Sequence, residues 1–191
     1  LMKVVLKKSI KSHESVVFNM VFKTYWGNGS SRRRMKAYYV EGSNIHFNGV
    51  HWYPRMAVYD QKFGWNTNQH LDKEFYGDFG TFDVELNFAN DYILEATGTL
   101  INEKEVMPAE LKEKIHISNF YHRGSEGSGD TLSVITKRLN GERKIWKFHA
   151  DNVHDFAFTA DPTYRSDERE WKGVKTVAVV EERHCPNWKT A

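Results

Sequence analysis

The segment "HADNVHDFAFTADP" (149–162) holds the densest set of side chains that could do chemistry, with His149, His154 and three aspartates within fourteen residues. Two histidines that bind one zinc from a helix need a spacing of four, as in H-E-x-x-H, so that both rings leave the same face. Here the spacing is five. On a strand, residues five apart point to opposite faces, so His149 and His154 would converge only if "ADNV" turned. Asp151-Asn152 favours such a turn, but no third ligand is fixed by spacing. The simpler reading is a strand end "KIWKFHA", a turn at "DN" and a second strand "HDFAFTA", and it assigns no metal ligand.

Other groupings carry less. His46 and His51 flank "FNGV", and His116 and His122 flank "ISNFY", neither at a distinctive ligand spacing. Cys185 adjoins His184, but neighbours on a strand point apart, which argues against a thiolate–imidazole pair. Glu181-Glu182 reads as an exposed strand end. G-x-S-x-G, phosphate-loop and dinucleotide-glycine motifs are absent, so no catalytic residue is assigned from chemistry alone.

The elements that must position these residues are strands. Among 191 residues, 40% are apolar, 27% charged and 14% aromatic, the last an enrichment that suits sheets. A net charge of +2 gives no field directed at nucleic acid. The basic run Arg32–Arg34 is expected at a solvated hairpin end. A single cysteine excludes an internal disulfide, and no apolar run reaches the roughly 18 residues of a membrane-spanning helix. The opening "KVVLKKSIKSHESVVF" shows no apolar h-region or cleavage site and begins in mid-pattern, which is expected of a fragment or a processed product.

Alternation places Val16, Phe18, Met20, Phe22 and Trp26 on one strand face. In "TFDVELNFAND", Phe82, Val84, Leu86 and Phe88 face one way, and Asp83, Glu85 and Asn87 the other. "ANDY" should turn, and "ILEATGTLI" should return as a strand with a bulge at Gly98. Asn140-Gly141 predicts a type I′ hairpin between "TLSVITKRL" and "RKIWKFHAD". "KAYYV", a turn at "EGSN" and "VKTVAVVEER" complete the strands. One short helix, "MPAELKEKIH", follows Pro108, and "RGSEGSGD" is a loop. The expected architecture is mainly β: one domain over 1–191, a sandwich or saddle-like set of curved antiparallel or mixed sheets, with one short helix.

Three stretches, "HWYPRMAVYDQKFGWNT" (51–67), "TFDVELNFANDYILEATGTL" (81–100) and "KIWKFHADNVHDFAFTADPTY" (144–164), together resemble the N-terminal β-domain of the aminopeptidase N-like zinc metallopeptidases, bacterial branch. The resemblance covers roughly residues 10–185 and implies a fragment of that domain, lacking its first strands. Enzymes of the family remove amino-terminal residues from peptides with one zinc, held by H-E-x-x-H and a downstream Glu in a following catalytic domain. The motif Glu acts as general base on zinc-bound water, and a G-x-M-E-N segment grips the free amine. None of these motifs is in this chain. The resemblance therefore implies a non-catalytic domain whose partner is its own catalytic domain, with zinc there and none here, and peptide bound only by the full-length protein. It also implies export to the periplasm or outside the cell.

In the family, a Gln or Glu just before the Arg-containing segment binds the substrate amine. The nearest position is His51, a departure from that pattern; neutral imidazole accepts a hydrogen bond from an ammonium, whereas imidazolium repels it. Arg55 and Asp60 are expected to form internal polar pairs, Arg55 beside a carboxylate. The alternative is a free-standing β-sandwich module binding carbohydrate or protein through Trp26, Trp52 and Trp65. A third possibility is a self-contained hydrolase. The peptidase-domain reading predicts an exposed aromatic or apolar patch where the catalytic domain packs.

Overall fold

The computed structural model describes residues 2–28, 34–39, 44–68, 76–123 and 133–189. The turn at "EGSN", most of the "RGSEGSGD" loop, and Arg32 and Arg33 of the basic run fall outside them. The fold is mainly β, as the alternation predicts.

Two sheets face each other. One has the order β1 (Gly27–Asn28), β2 (Lys36–Tyr39), β3 (Ile45–Gly49), β10 (Phe158–Asp161), β7 (Ile93–Ala96), antiparallel except for the β1–β2 pair. The other places β9 (Arg143–Val153) between β6 (Gly80–Ala89) and β8 (Thr99–Leu100). Two hairpins stand apart: β4 (Tyr59–Asp60) with β5 (Gly64–Trp65), and β11 (Tyr164–Trp171) with β12 (Val174–Glu181).

Between the sheets, Leu86 of β6 and Trp146 and Phe148 of β9 meet Leu94, Phe158 and Ala160 of the other sheet, with Phe156 of the intervening connection, and all are buried. Aromatic edges join the layers, Phe47 to Phe88 at 5.7 Å and Phe88 to Phe158 at 5.8 Å between ring centroids. Such pairs add about 0.5–1.5 kcal/mol each beyond area burial. The alternation of β6 holds residue by residue, with Phe82, Val84, Leu86 and Phe88 inward and Asp83, Glu85 and Asn87 exposed.

The chain departs from the sequence expectations in five places. Gly98 is not a bulge within one strand: "ILEATGTL" is divided between β7 and β8, which belong to different sheets. Gly98 has φ 93°, and a methyl there would overlap the His149 carbonyl oxygen, so only glycine lets the chain cross. The Asn140-Gly141 turn closes through Glu142 N–H to Leu139 O (3.1 Å), but only Gly141 has positive φ, 80°, the pattern of type II. Over its described residues, 133–139, its first arm is no strand, because residues 137–139 bond to Asn90 instead: Asn90 donates to Lys137 O (3.0 Å) and accepts from Leu139 N–H (3.0 Å).

The chain also does not turn at Asp151-Asn152. β9 runs on to Val153 with Asn152 at φ 54°, and the register against β6 shifts there, a bulge. Because β9 and β10 lie in different sheets, the strands of "HADNVHDFAFTADP" do not pair with each other. Residues 2–26 form no strand and are exposed apart from Thr24 and Trp26, since no strand among the described residues supplies their hydrogen-bond partners. Among the described residues the expected single helix is two, α1 (Glu103–Val106) and α2 (Ala109–Ile115), and two 3₁₀ turns follow, η1 (Ile117–Phe120) and η2 (Glu182–Trp188).

On β7, Leu94 enters the core, so its neighbour Glu95 points the other way, behind an ionic ring. There Lys112 reaches Glu103 (2.8 Å) and Glu168 (2.9 Å), and Lys175 reaches the same two carboxylates. Burial pushes the Glu95 carboxyl up to about 7, the two lysines only partly offsetting it. A raised folded-state pKa favours the folded protein below the unfolded value and loses that contribution as pH rises through about 7. Glu95→Gln should therefore leave the melting temperature unchanged at low pH and raise it at alkaline pH, with a gain on the order of 1–3 kcal/mol. Thermal melts across that range would check it, and equal melting of the two proteins at alkaline pH would contradict it.

Candidate functional site

The three stretches that carry the family resemblance converge at one end of the sandwich. "HWYPR" lies across the connection between β9 and β10. The Trp52 indole donates to Phe156 O (3.1 Å), the Tyr53 hydroxyl donates to Asp155 Oδ1 (2.8 Å), and the Arg55 guanidinium donates to His154 O. Tyr53 stacks edge-on against Phe82 of β6 at 5.7 Å.

Asp155 is the hub. Its Oδ1 also accepts the Phe156 N–H (2.8 Å) and lies 4.0 Å from Arg55 Nη1, and its Oδ2 lies 3.4 Å from His51 Nδ1. The carboxylate sequence reasoning required for Arg55 is thus Asp155, one hundred residues away. Asp60 instead caps its own β4–β5 turn, accepting from Lys62 and Phe63 N–H and from the Tyr76 hydroxyl. His51 is exposed at the rim in the left-handed backbone region, φ 55°.

Burial, together with the bond and charge of Asp155, pushes the Tyr53 hydroxyl up to about 12. In Asp155→Asn the charge and part of the bond are gone, so Tyr53 should ionise nearer its ordinary range of about 10. Tyrosinate absorbance, taken as the difference between the two proteins, would register the shift; superimposable titrations would contradict the bond. Chemically the cluster can orient and neutralise, but among its described groups none is an activated nucleophile.

The remaining candidates resolve separately. His149 lies on the outer face of β9, Nδ1 2.7 Å from Asp83 and Nε2 2.9 Å from Asp151. These bonds and charges raise its pKa. Both of its nitrogens are taken up by carboxylates, and His154 packs on Phe79 instead, so the two histidines are not brought onto one ion. Cys185 is fully buried and its thiol is pushed up to about 12 by burial, so it is inert as a nucleophile. Glu181 and Glu182 are buried, not exposed as the sequence suggested, because both anchor the end of β12. Ser118, His116 and Asp167 form a series at 2.7 and 3.4 Å, and the first two line a cleft of about 330 Å³. The Ser118 N–H donates to the same imidazole (3.3 Å), so the group acts as a cap on η1.

Sequence reasoning missed one grouping. His46, Asp161 and Glu181 are buried together, each offering a ligand atom within 4.8 Å of the others. They are far apart in sequence, so only the fold brings them into one place.

No helix among the described residues is long and apolar enough to cross a membrane. Protein-family models, curated proteins and solved structures give no match to this chain.

Proposed function

We propose that this chain is the non-catalytic β-domain of a zinc-dependent aminopeptidase, packing against a catalytic domain and bordering its substrate cleft. The observation that carries the reading is an exposed aromatic face continuous with the Arg55–Asp155 cluster. Met56, Tyr59, Phe63, Trp65 and Phe79 are each 58–73% exposed. They join the cluster through Tyr76, bonded to Asp60, through Gly77, packed on Arg55, and through Phe79 against His154. Large apolar rings grouped on a surface mark a place where another protein surface sits. The convergence of the three resembling stretches at the edge of this face supports the same assignment.

In this reading Tyr53, Arg55 and Asp155 hold the segment rigid, and His51, at its rim, faces the cleft. A neutral His51 would accept from a peptide ammonium, and Asp155 beside it would favour that approach electrostatically. The zinc, its ligands and the general base belong to the catalytic domain. The alternative, a carbohydrate- or protein-binding module, would present Trp26, Trp52 and Trp65 together. Trp26 and Trp52 instead pack on the core and spend their indole N–H groups on Asn48 O (3.0 Å) and Phe156 O (3.1 Å). Only Trp65 of the three remains as a platform.

The test is to read the coding sequence downstream of the codon for Ala191. The proposal expects H-E-x-x-H and a G-x-M-E-N-like segment in the same frame. A frame without either would overturn it.

A further inference from the structure

We propose that His46, Asp161 and Glu181 form a buried structural site for a divalent transition-metal ion, with Zn²⁺ the ion it should hold best. This is independent of the aminopeptidase reading, whose zinc lies in another domain.

The three residues come from three strands. His46 is on β3, Asp161 ends β10 in the adjacent register position, and Glu181 ends β12, which belongs to the separate β11–β12 hairpin. All are buried, with relative exposures of 4%, 0% and 4%. His46 Nδ1 lies 3.0 Å from Asp161 Oδ2, and all three ligand atoms fall within 4.8 Å of one another. Two ligands about 2.1 Å from one ion stand about 3.0 Å apart at a right angle and about 3.4 Å apart at the tetrahedral angle. The His46–Asp161 spacing therefore matches two ligands of one ion, and Glu181 would close on it from within 4.8 Å.

The atoms not aimed at the centre are held by outer partners, the arrangement that orients metal ligands. His46 Nε2 lies 2.9 Å from Asn48 Oδ1, which also accepts from the Thr159 hydroxyl (3.1 Å). An Nε2–H donated to that oxygen leaves the Nδ1 lone pair facing the Asp161 carboxylate. Two acceptors at 3.0 Å repel unless a cation or a proton lies between them. Asp161 Oδ1 is fixed by the Thr163 N–H (2.6 Å) and hydroxyl (2.7 Å), and Glu181 Oε2 by Arg183 (2.6 Å). A proton would bridge His46 and Asp161; what Glu181 adds is a donor atom from a third strand at the same buried point, which a hydrogen-bonded pair does not need and a metal site does.

One imidazole and two carboxylates suit Zn²⁺ and its first-row neighbours better than Ca²⁺ or Mg²⁺, which prefer all-oxygen sets. The ion would fasten the β11–β12 hairpin to the five-stranded sheet, a structural role consistent with burial.

The experiment uses the whole chain, stripped with a chelator and titrated with Zn²⁺ against a chromophoric competitor. We expect one equivalent bound at roughly 1 µM or tighter, and a higher melting temperature in its presence. His46→Gln and Glu181→Gln should each weaken binding by about 100-fold or more. His149→Ala, which removes the exposed imidazole on β9, should leave it unchanged. No binding, or binding indifferent to both buried-site substitutions, overturns the proposal. If the variants fail to fold, electron spin-echo modulation of the Cu²⁺-loaded wild-type chain decides. A single coordinated imidazole, little affected by solvent deuteration, supports the buried site; any other count, or strong coupling to solvent deuterium, overturns it.

Discussion

Glu182→Gln is expected to destabilise the protein by about 3–5 kcal/mol, because it leaves the buried Arg165 guanidinium without its counter-charge. Arg165 and Glu182 are 0% and 1% exposed and form a direct ion pair. The same Glu182 carboxylate accepts from Ser133 (2.5 Å) and pairs with Arg123 (2.9 Å), while Arg165 donates to Ser133 O (2.6 Å) and stacks on Phe120. One pair thus joins β11, η1, η2 and the segment at 133. Burial pulls the Arg165 pKa down and Glu182 pulls it back up, so losing the carboxylate leaves only the unfavourable part. The denaturation midpoint in urea should fall while the slope stays constant. Replacing both partners at once, Arg165→Met with Glu182→Leu, should cost much less than the single change. A single variant within about 0.5 kcal/mol of the wild type would mean that the pair is solvated in solution.

Phe156→Ala should cost a similar amount, about 3–5 kcal/mol, for a different reason. Phe156 is 0% exposed and packs on Phe82 and Phe148 from the connection between the two sheets. Removing its ring opens a cavity where the layers meet, and little nearby can collapse into it. The neighbouring backbone also serves the candidate site, since Phe156 O accepts from Trp52 and Phe156 N–H donates to Asp155. The variant should therefore show a red-shifted tryptophan emission and a lower Tyr53 pKa along with its lost stability. A loss of stability with both signals unchanged would show that site and core are uncoupled.

The local pattern of this chain was legible where one face of a strand meets one core. β6 reads correctly at every position because its buried and wet faces alternate cleanly. The pattern failed where tertiary partners decide. "SVVFNMVFKTYW" alternates as well as β6 does, but alternation only proposes a strand; hydrogen-bonded neighbours make one. "ILEATGTL" gives no local sign that Gly98 carries it between sheets, because the reason is the approach of the His149 carbonyl from a strand fifty residues on. At the site, the demand for a carboxylate beside Arg55 was legible, but its identity was not. Asp60 is near in sequence, while Asp155 is near in space. His46, Asp161 and Glu181 leave no trace in spacing, because the topology of three strands alone brings them together.

The measurement that bears most directly on the central claim is turnover of amino-acyl fluorogenic substrates by this chain alone, with Zn²⁺ supplied, beside the product of its complete reading frame. A β-domain without the catalytic motifs should bind metal at most, and release no amino acid. The complete product should turn over and lose activity when its metal is removed. Turnover by the 191-residue chain itself would contradict the account and place the chemistry among the residues described here.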